Sequence, residues 1–325
     1  MNTLIHGIHH VTAIASDPQR NVDFYAGLLG LRLVKKTVNF DDPSAYHLYY
    51  GDTNGAPGSI VTFFYWPGGA GRGRVGAGQS TRLSFSAAPE SLTYWVERLT
   101  AHGVAALRQI RFGEDVVTFV DPDGIPIEIV GAVGDSRNGW SGAGVPQEHA
   151  LRGLHTTELT VTRAEPTTQL LTGVMGYRHV RSEGGRARYA TVLRTPGTFI
   201  DVIAGADAVE GIGGVGTIHH VAWGVVDDAA QKNAHALLTG AGFVVSPVRD
   251  RSYFRSIYYR ERGGILFEIA TDIPGFAVDE PVDSLGTALK LPGQFEPARR
   301  EIEALLPPLR APRPTNHPMP IATRS

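Results

Sequence analysis

The sequence repeats one structural unit four times, and this recurrence constrains the fold more than any other feature of the chain. Each copy reads as an apolar strand, an amphipathic helix, a glycine that ends the helix, and further strands. The last strand of each copy follows a glycine, and the fourth residue after that glycine interrupts an apolar run. We therefore predict four βαβββ modules, over residues 6–66, 79–131, 152–204 and 217–270.

A βαβββ unit cannot close a sheet by itself, so the modules are expected to pair into two open, barrel-like half-shells. The predicted fold class is therefore α+β, with a cleft inside the half-shells. The glycine-rich stretch 67–78 and the segment 131–150 read as linkers. A tail over 276–325 contains one short helix, predicted over about 297–306, and then a proline-rich end.

The first and fourth modules begin with the same four residues, Ile-His-His-Val, at 8–11 and 218–221. Imidazole is the commonest metal ligand among side chains. The cleft-facing positions of the first and last strands carry His10 in module one, and His220 and Glu268 in module four. Two imidazoles and one carboxylate are the facial triad typical of non-haem Fe(II) oxygenases. The set lacks the fourth protein ligand of a closed structural zinc site.

The remaining cleft-facing positions carry no histidine. They are Thr62 in module one, Thr81 or Arg82 with Glu128 in module two, and Thr156 with Asp201 in module three. We read Glu128 as a structural or vestigial carboxylate that meets a basic or hydroxyl partner. A core histidine beside a surface one, with Glu268 paired to an arginine, is the alternative interpretation of the metal site. The recurrence at equivalent positions favours the metal.

Composition excludes several classes of protein. The chain has no cysteine, which rules out disulfides, iron–sulfur clusters and a cysteine nucleophile. A net charge of −2 without a basic tract predicts no nucleic-acid partner. No apolar run approaches the ~20 residues of a membrane span, so no membrane association is expected. No export signal is evident, and the expected location is cytoplasmic.

The segments Gly7 to Thr12, Leu29 to Pro43 and Tyr46 to Asp52 resemble the vicinal oxygen chelate (glyoxalase/bleomycin resistance/dioxygenase) superfamily. Within it they resemble the type I extradiol ring-cleaving dioxygenases of the chlorohydroquinone/hydroquinone dioxygenase-like subgroup. The resemblance covers nearly the whole chain. It implies Fe(II), with Mn(II) as an alternative and zinc or nickel as substitutes in a crystal. It also implies that modules one and four form the metal-bearing half, and modules two and three the metal-free half.

Further residues are expected beside the metal. The segment from Ser256 to Glu268 reads as a hairpin turning at Gly263-Gly264, which sets Tyr258 opposite Glu268. A phenol there could hydrogen-bond a substrate oxygen, although a packing tyrosine is the alternative. Thr12 lies two residues past His10 and faces the same side.

The resemblance adds three supporting residues. Arg251 resembles a family residue near the cleft, and it is expected to close the cleft's mouth together with the tail around 285–295. Strand alternation points His9 and His219 away from the metal. The resemblance instead places both beside the ligands, with one acting as acid and base. A bulge or twist would reconcile the two expectations.

The resemblance implies a dioxygenase that incorporates both atoms of O₂ into a small aromatic diol and so cleaves its ring. A glyoxalase-type metal-dependent isomerase or thiol transferase is one alternative. A metal-free drug-binding resistance protein on the same scaffold is another. The sequence leaves open whether the diol is 1,2- or 1,4-substituted, whether it is chlorinated, and whether the chain forms a homo-oligomer.

Overall fold

In a computed structural model that describes residues 4–312, the chain forms two curled, eight-stranded sheets with helices packed against them. The predicted α+β half-shell architecture is confirmed. The strands are β1 Gly7–Ile14, β2 Arg32–Asn39, β3 Asp42–Gly51, β4 Ile60–Tyr65, β5 Gln79–Ala87, β6 Leu107–Arg111, β7 Glu114–Val120, β8 Pro126–Gly131, β9 Leu154–Val161, β10 Arg178–Glu183, β11 Arg186–Ala190, β12 Phe199–Ala204, β13 Ile218–Val225, β14 Arg249–Asp250, β15 Arg255–Arg260 and β16 Leu266–Thr271. The α-helices are α1 Pro18–Val22, α2 Leu92–Ala101, α3 Ala164–Gly173, α4 Asp228–Gly240 and α5 Arg299–Leu305.

Each sheet combines strands from two of the four repeats. The strand order of the first sheet is β14-β15-β16-β13-β1-β4-β3-β2, so it contains the strands of segments 6–66 and 217–270. The order of the second is β10-β11-β12-β9-β5-β8-β7-β6, from the two middle segments. At the centre of each sheet, the first strands of two repeats run antiparallel, β1 with β13 and β5 with β9.

Buried apolar side chains fill the space between each sheet and its helices. In α2, the fully buried residues Leu92, Trp95 and Leu99 recur at the spacing of one helix face. On β13 and β16, Trp223 and Phe267 are likewise buried, with ring centroids 5.2 Å apart. Because the helix-facing side chains are apolar, the opposite face of each sheet remains available for polar groups.

The helix of the first repeat differs from the continuous helix predicted there. The α-helix α1 ends at Val22, and a π-helical segment continues it over Asp23–Leu28. The amide of Leu29 bonds the carbonyl of Phe24 at 2.9 Å, five residues back. The wider turn buries both Phe24 and Tyr25, whose hydroxyl reaches Asp121 in the second half-shell at 3.1 Å.

The turn between β7 and β8 joins the two half-shells. Asp123 accepts hydrogen bonds from the Ser16 hydroxyl at 2.5 Å and from Arg20 at 2.6 Å. Asp121 accepts from Tyr25 and from the backbone amides of Asp123 and Ile125. Burial, and then the charge of Asp123, raises the pKa of Asp121 to about 7. This contact therefore contains a carboxyl group that resists ionisation.

The tail follows the edge of the first sheet at β2. The amide of Lys290 donates to the carbonyl of Lys36 at 2.9 Å, and the fully buried Lys35 ammonium binds Asp279 and Glu280, each at 2.5 Å. The predicted tail helix corresponds to α5, while residues 313–325 of the predicted tail lie outside the described residues. Within 4–312 no helix has both the length and the apolarity needed to cross a bilayer.

Candidate metal centre and cleft

Three buried side chains converge at the centre of the first sheet. His10 on β1, His220 on β13 and Glu268 on β16 each offer a ligand atom, and these atoms lie within 4.8 Å of one another. The Oε2 atom of Glu268 is 2.9 Å from Nε2 of His220 and 3.4 Å from Nε2 of His10. A single ion with bonds of about 2.1 Å fits such a cluster.

The strand register explains why these residues meet. In the antiparallel pair β1–β13, His10 lies opposite Ala222, and in the parallel pair β13–β16, Ala222 lies beside Glu268. His220 is two residues before Ala222 and therefore shares its face. The methyl group of Ala222 fills little of the space between His10 and Glu268, so the centre stays open.

Two β-bulges place the neighbouring histidines beside the ligands. The β1–β13 register shifts by one residue between Ile8 and His10, and again between His220 and Ile218, so His9 and His219 are the extra residues. The Nδ1 atoms of His9 and His10 are 2.9 Å apart, and those of His219 and His220 are 2.7 Å apart. The alternation argument was wrong here, because the bulges turn both side chains towards the ligands.

These contacts are compatible with the tautomer that metal binding needs. With Nδ1 of His10 and His220 donating to the neighbouring imidazoles, their Nε2 atoms keep a lone pair directed at the cluster. Burial, and then the charges of His10 and His220 respectively, lowers the pKa of His9 and of His219 to about 3. The neighbouring imidazoles are therefore neutral acceptors at neutral pH.

The electrostatics of the cluster fit a cation. Burial would raise the pKa of Glu268, but His10 and His220 outweigh it and hold that pKa well below its usual range. Ser256 donates to Oε1 of Glu268, whereas Oε2 has no polar partner among the described residues other than the two imidazoles. Burial also lowers the pKa of His220. A neutral imidazole beside a buried carboxylate is the protonation state that metal binding needs.

Tyr258 and Arg251 line the cleft next to the cluster. Tyr258 lies directly opposite Glu268 in the β15–β16 hairpin, as its spacing from the turn predicts. The Arg251 Nε donates to the Tyr258 hydroxyl at 3.2 Å, and its Nη2 binds Asp41 at 2.8 Å. Burial, and then the charge of Glu268, raises the pKa of Tyr258. The phenol is therefore neutral and retains its proton for a ligand in the cleft.

A chain of hydroxyl and imidazole groups lies next to the cluster, and two of its members, Thr12 and Thr62, were expected to face the cleft. Thr62 donates to Thr12 at 3.0 Å, and Nε2 of His47 contacts the Thr62 hydroxyl at 2.8 Å. The hydroxyl of Tyr49 is 2.9 Å from Nδ1 of His47. His47 and Tyr49 also line the cleft. Their spacing of two on one strand was the available signal.

The tail around 285–295, which we expected to cover the cleft, contributes no residue to the described lining of the cavity. The lining residues of the cavity come from the strands, from the β2–β3 turn and from the β14–β15 loop, and Phe40 and Asp41 of the turn approach Arg251 of the loop. The tail instead packs behind this wall, where Leu285 and Phe276 join a buried cluster with Tyr49 and Phe254. The tail lies along the edge of β2, because the backbone groups at this edge need hydrogen-bond partners and the ammonium of Lys35 needs an opposite charge.

Charged side chains paired with one another fill the corresponding centre of the second sheet. Arg82 stands at the position of His10 and Thr156 at that of His220, while Glu158 replaces Ala222. Glu128 accepts from Ser84 at 2.5 Å and pairs with Arg111, which confirms its predicted partners. Asp201 is held by Arg188 at 2.7 Å. Ion pairs thus occupy the space that is open in the first sheet.

Comparison with known proteins agrees with this architecture. Residues 7–129 match the model of the Glyoxalase/Bleomycin resistance protein/Dioxygenase superfamily. MhqO of Bacillus subtilis (strain 168), provisionally named a ring-cleaving dioxygenase, is 45% identical over 304 residues, which cover 93% of this chain and 96% of that protein. The chlorohydroquinone/hydroquinone 1,2-dioxygenase of Sphingobium indicum is 33% identical over 305 residues, covering 92% and 95%.

Solved structures show the same fold. A crystal structure from Bacillus subtilis, provisionally described as a dioxygenase, has a TM-score of 0.91 and 43% identity over 95% of this chain and 99% of that one. A glyoxalase I mutant from Zea mays shares the fold, with a TM-score of 0.61 and 16% identity over 82% and 92%. The chain therefore belongs to the glyoxalase/bleomycin resistance/dioxygenase superfamily, as a relative of its ring-cleaving dioxygenases.

Proposed function

We propose that this chain is a non-haem Fe(II)-dependent, extradiol-type dioxygenase that cleaves the ring of a dihydroxybenzene with O₂. The observation that carries the proposal is the buried cluster of His10, His220 and Glu268, which offers two imidazoles and one carboxylate. The names of the relatives support the ring-cleaving class, and one of them supports a hydroquinone, chlorinated or not, as the diol.

His10, His220 and Glu268 are the residues that would hold iron, with manganese as an alternative. Bound there, the metal would supply a site for O₂ and a path for electrons between ring and oxygen. His9 and His219 would keep the ligating imidazoles in one tautomer by accepting a hydrogen bond from Nδ1 of His10 and of His220, which lie 2.9 and 2.7 Å away. The protein's own part is then to bind, orient and protonate the substrate.

Tyr258 is the proposed hydrogen-bond donor to the substrate. Its hydroxyl accepts from Arg251 and therefore directs its own proton into the cleft. The guanidinium of Arg251 would stabilise negative charge that develops on oxygen during the reaction. His219, a neutral imidazole in contact with His220, is the proposed acid and base. Phe64 and Phe254 line the cleft and would exclude water from it.

Metal analysis combined with oxygen uptake tests this function. Protein purified without oxygen should contain iron and should consume O₂ when hydroquinone, catechol or a chlorinated form is added. The ring-opened product should appear in step with the oxygen consumed. Bound nickel or zinc with no oxygen uptake would point to an isomerase or thiol transferase. Protein that binds no metal would instead support a drug-binding role.

A further inference from the structure

The cavity at the metal cluster is too small for the substrate that we propose. Its volume is about 30 Å³, whereas a cavity of ~150 Å³ is typical of one that holds a benzene molecule. A water molecule fits such a space, but a dihydroxybenzene does not. An aromatic ring attached to the metal must therefore extend beyond this cavity.

A second cavity, of about 820 Å³, lies further along the same strands. Both linings use residues of the same strands, and three residues of the smaller lining have a counterpart two residues along the chain, on the same face, in the larger one. The pairs are Phe64 and Trp66, Tyr258 and Arg260, and Glu268 and Leu266, while on β13 the bulge residue His219 lines the larger cavity next to His220 in the smaller one. Two residues of strand span about 7 Å, which is comparable to the length of a disubstituted benzene ring.

His219 connects the two cavities. Its ring lines the larger one, while its Nδ1 contacts Nδ1 of the proposed ligand His220 at 2.7 Å. Phe64 lines the smaller cavity and meets the His219 ring edge-on, with centroids 5.7 Å apart. A substrate oxygen at the metal would therefore place the far side of its ring next to His219, at the entrance of the larger cavity.

Arg260 is the one lysine or arginine in the lining of the larger cavity. Its Nη1 donates to the carbonyl of Gly264 at 2.8 Å, and it makes no ion pair with any described carboxylate. Arg251, by contrast, is already paired with Asp41. The one carboxylate in the same lining is Glu210, an exposed residue of the linker after β12. Arg260 thus has charge and donors available for a ligand.

We propose that the larger cavity binds the ring substituent of the diol, and that Arg260 makes it selective for an anionic substituent such as a carboxylate. The proposal rests on the proposed function of the metal site and adds the class of substrate. A guanidinium binds a carboxylate through two parallel hydrogen bonds, which a neutral group of the same shape cannot match.

Three ligands of one ring shape separate charge from size. They are hydroquinone, its monocarboxylate, and the neutral carboxamide of that acid. Their dissociation constants would be measured anaerobically on the iron-loaded protein, from the change in tryptophan fluorescence, to which Trp66 in the cavity wall contributes, and kcat/KM would be measured from oxygen uptake. We expect the wild type to prefer the carboxylate to the carboxamide by about fivefold in both quantities.

Variants at two arginines of the same hairpin test whether Arg260 causes the preference for the carboxylate over the carboxamide. Arg260→Gln should abolish it, and Arg260→Lys should keep most of it. Arg262→Gln is the matched control, because Arg262 donates to the carbonyl of Ala241 and does not line the cavity. A preference that survives Arg260→Gln, or a wild type that binds both ligands equally, would overturn the inference. Cleavage of hydroquinone in that case would leave the proposed function standing, whereas failure to cleave any of the three would refute both.

Discussion

His10 and Glu268 lie at the same level of the first sheet, one on each side of Ala222. In the second sheet Arg82 and Asp201 lie at the same level on either side of Glu158. Glu158 is bound by Thr81 at 2.8 Å and by Arg186, so that centre is filled. The small side chain of Ala222 therefore leaves the centre of the first sheet open, whereas Glu158 at the equivalent position helps to fill the centre of the second.

We expect Ala222→Leu to lose most of its bound iron, although His10, His220 and Glu268 are unchanged. The larger side chain would enter the space that an ion needs, and overpacking would cost about 1–3 kcal/mol of stability. Metal analysis and urea unfolding would measure both effects. Ala222→Gly leaves the space open and should keep iron. A fully iron-loaded leucine variant would contradict this account of Ala222.

His10→Ala is expected to abolish iron binding, since it removes one of three ligands. Thr156→Ala is the matched control, because Thr156 occupies the position of His220 in the half-shell that we expect to hold no metal. The control variant should bind as much iron as the wild type. Elemental analysis measures the iron content of the two proteins, and equal iron in both would place the metal elsewhere.

Tyr258→Phe should keep its iron and lose about 100-fold in kcat, because the phenol is the proposed donor and proton carrier. Removing the hydroxyl leaves the aromatic packing intact, so the unfolding midpoint should change little. Steady-state oxygen uptake and metal analysis on the same preparation separate the two effects. Full activity in this variant would reduce Tyr258 to packing and leave His219 as the proposed proton carrier.

Asp121→Asn should stabilise the protein at pH 8 more than at pH 5. Asp121 has a pKa raised from 3.8 to about 7 in the folded chain, so the folded state binds its proton more tightly than the unfolded state. Its contribution to stability is therefore lost as pH rises from about 4 to 7. The asparagine does not ionise, and we expect it to recover about 2 kcal/mol at pH 8. Urea unfolding of both proteins from pH 5 to pH 8 measures the difference, which should increase towards pH 8.

Much of the candidate site could be predicted from residue spacing alone. The glycine turn at 263–264 fixed the register that sets Tyr258 opposite Glu268. The repeated His-His pairs located His10 and His220, because equivalent positions of repeated strands face equivalent directions. Periodicity along a strand is a local property, and the sequence displays it directly.

The remaining features depend on contacts between distant segments. The bulges at His9 and His219 arise from the pairing of β1 with β13, and alternation within one strand could not reveal them. The role of Ala222 can be recognised only when the residues beside it on the two neighbouring strands are known. The path of the tail likewise depends on Lys35, whose buried charge requires the carboxylates of Asp279 and Glu280.

The pairing of β1 with β13 also determines the order in which the two half-shells can form during synthesis. The second half-shell is continuous in sequence, over 79–204, whereas the first is divided between 6–66 and 217–270. A chain emerging during synthesis can finish the second half-shell while β1 still lacks its central partner. Both histidines of the cluster then precede the carboxylate, which arrives with β16. Only a chain made through that last strand can surround an ion with all three groups.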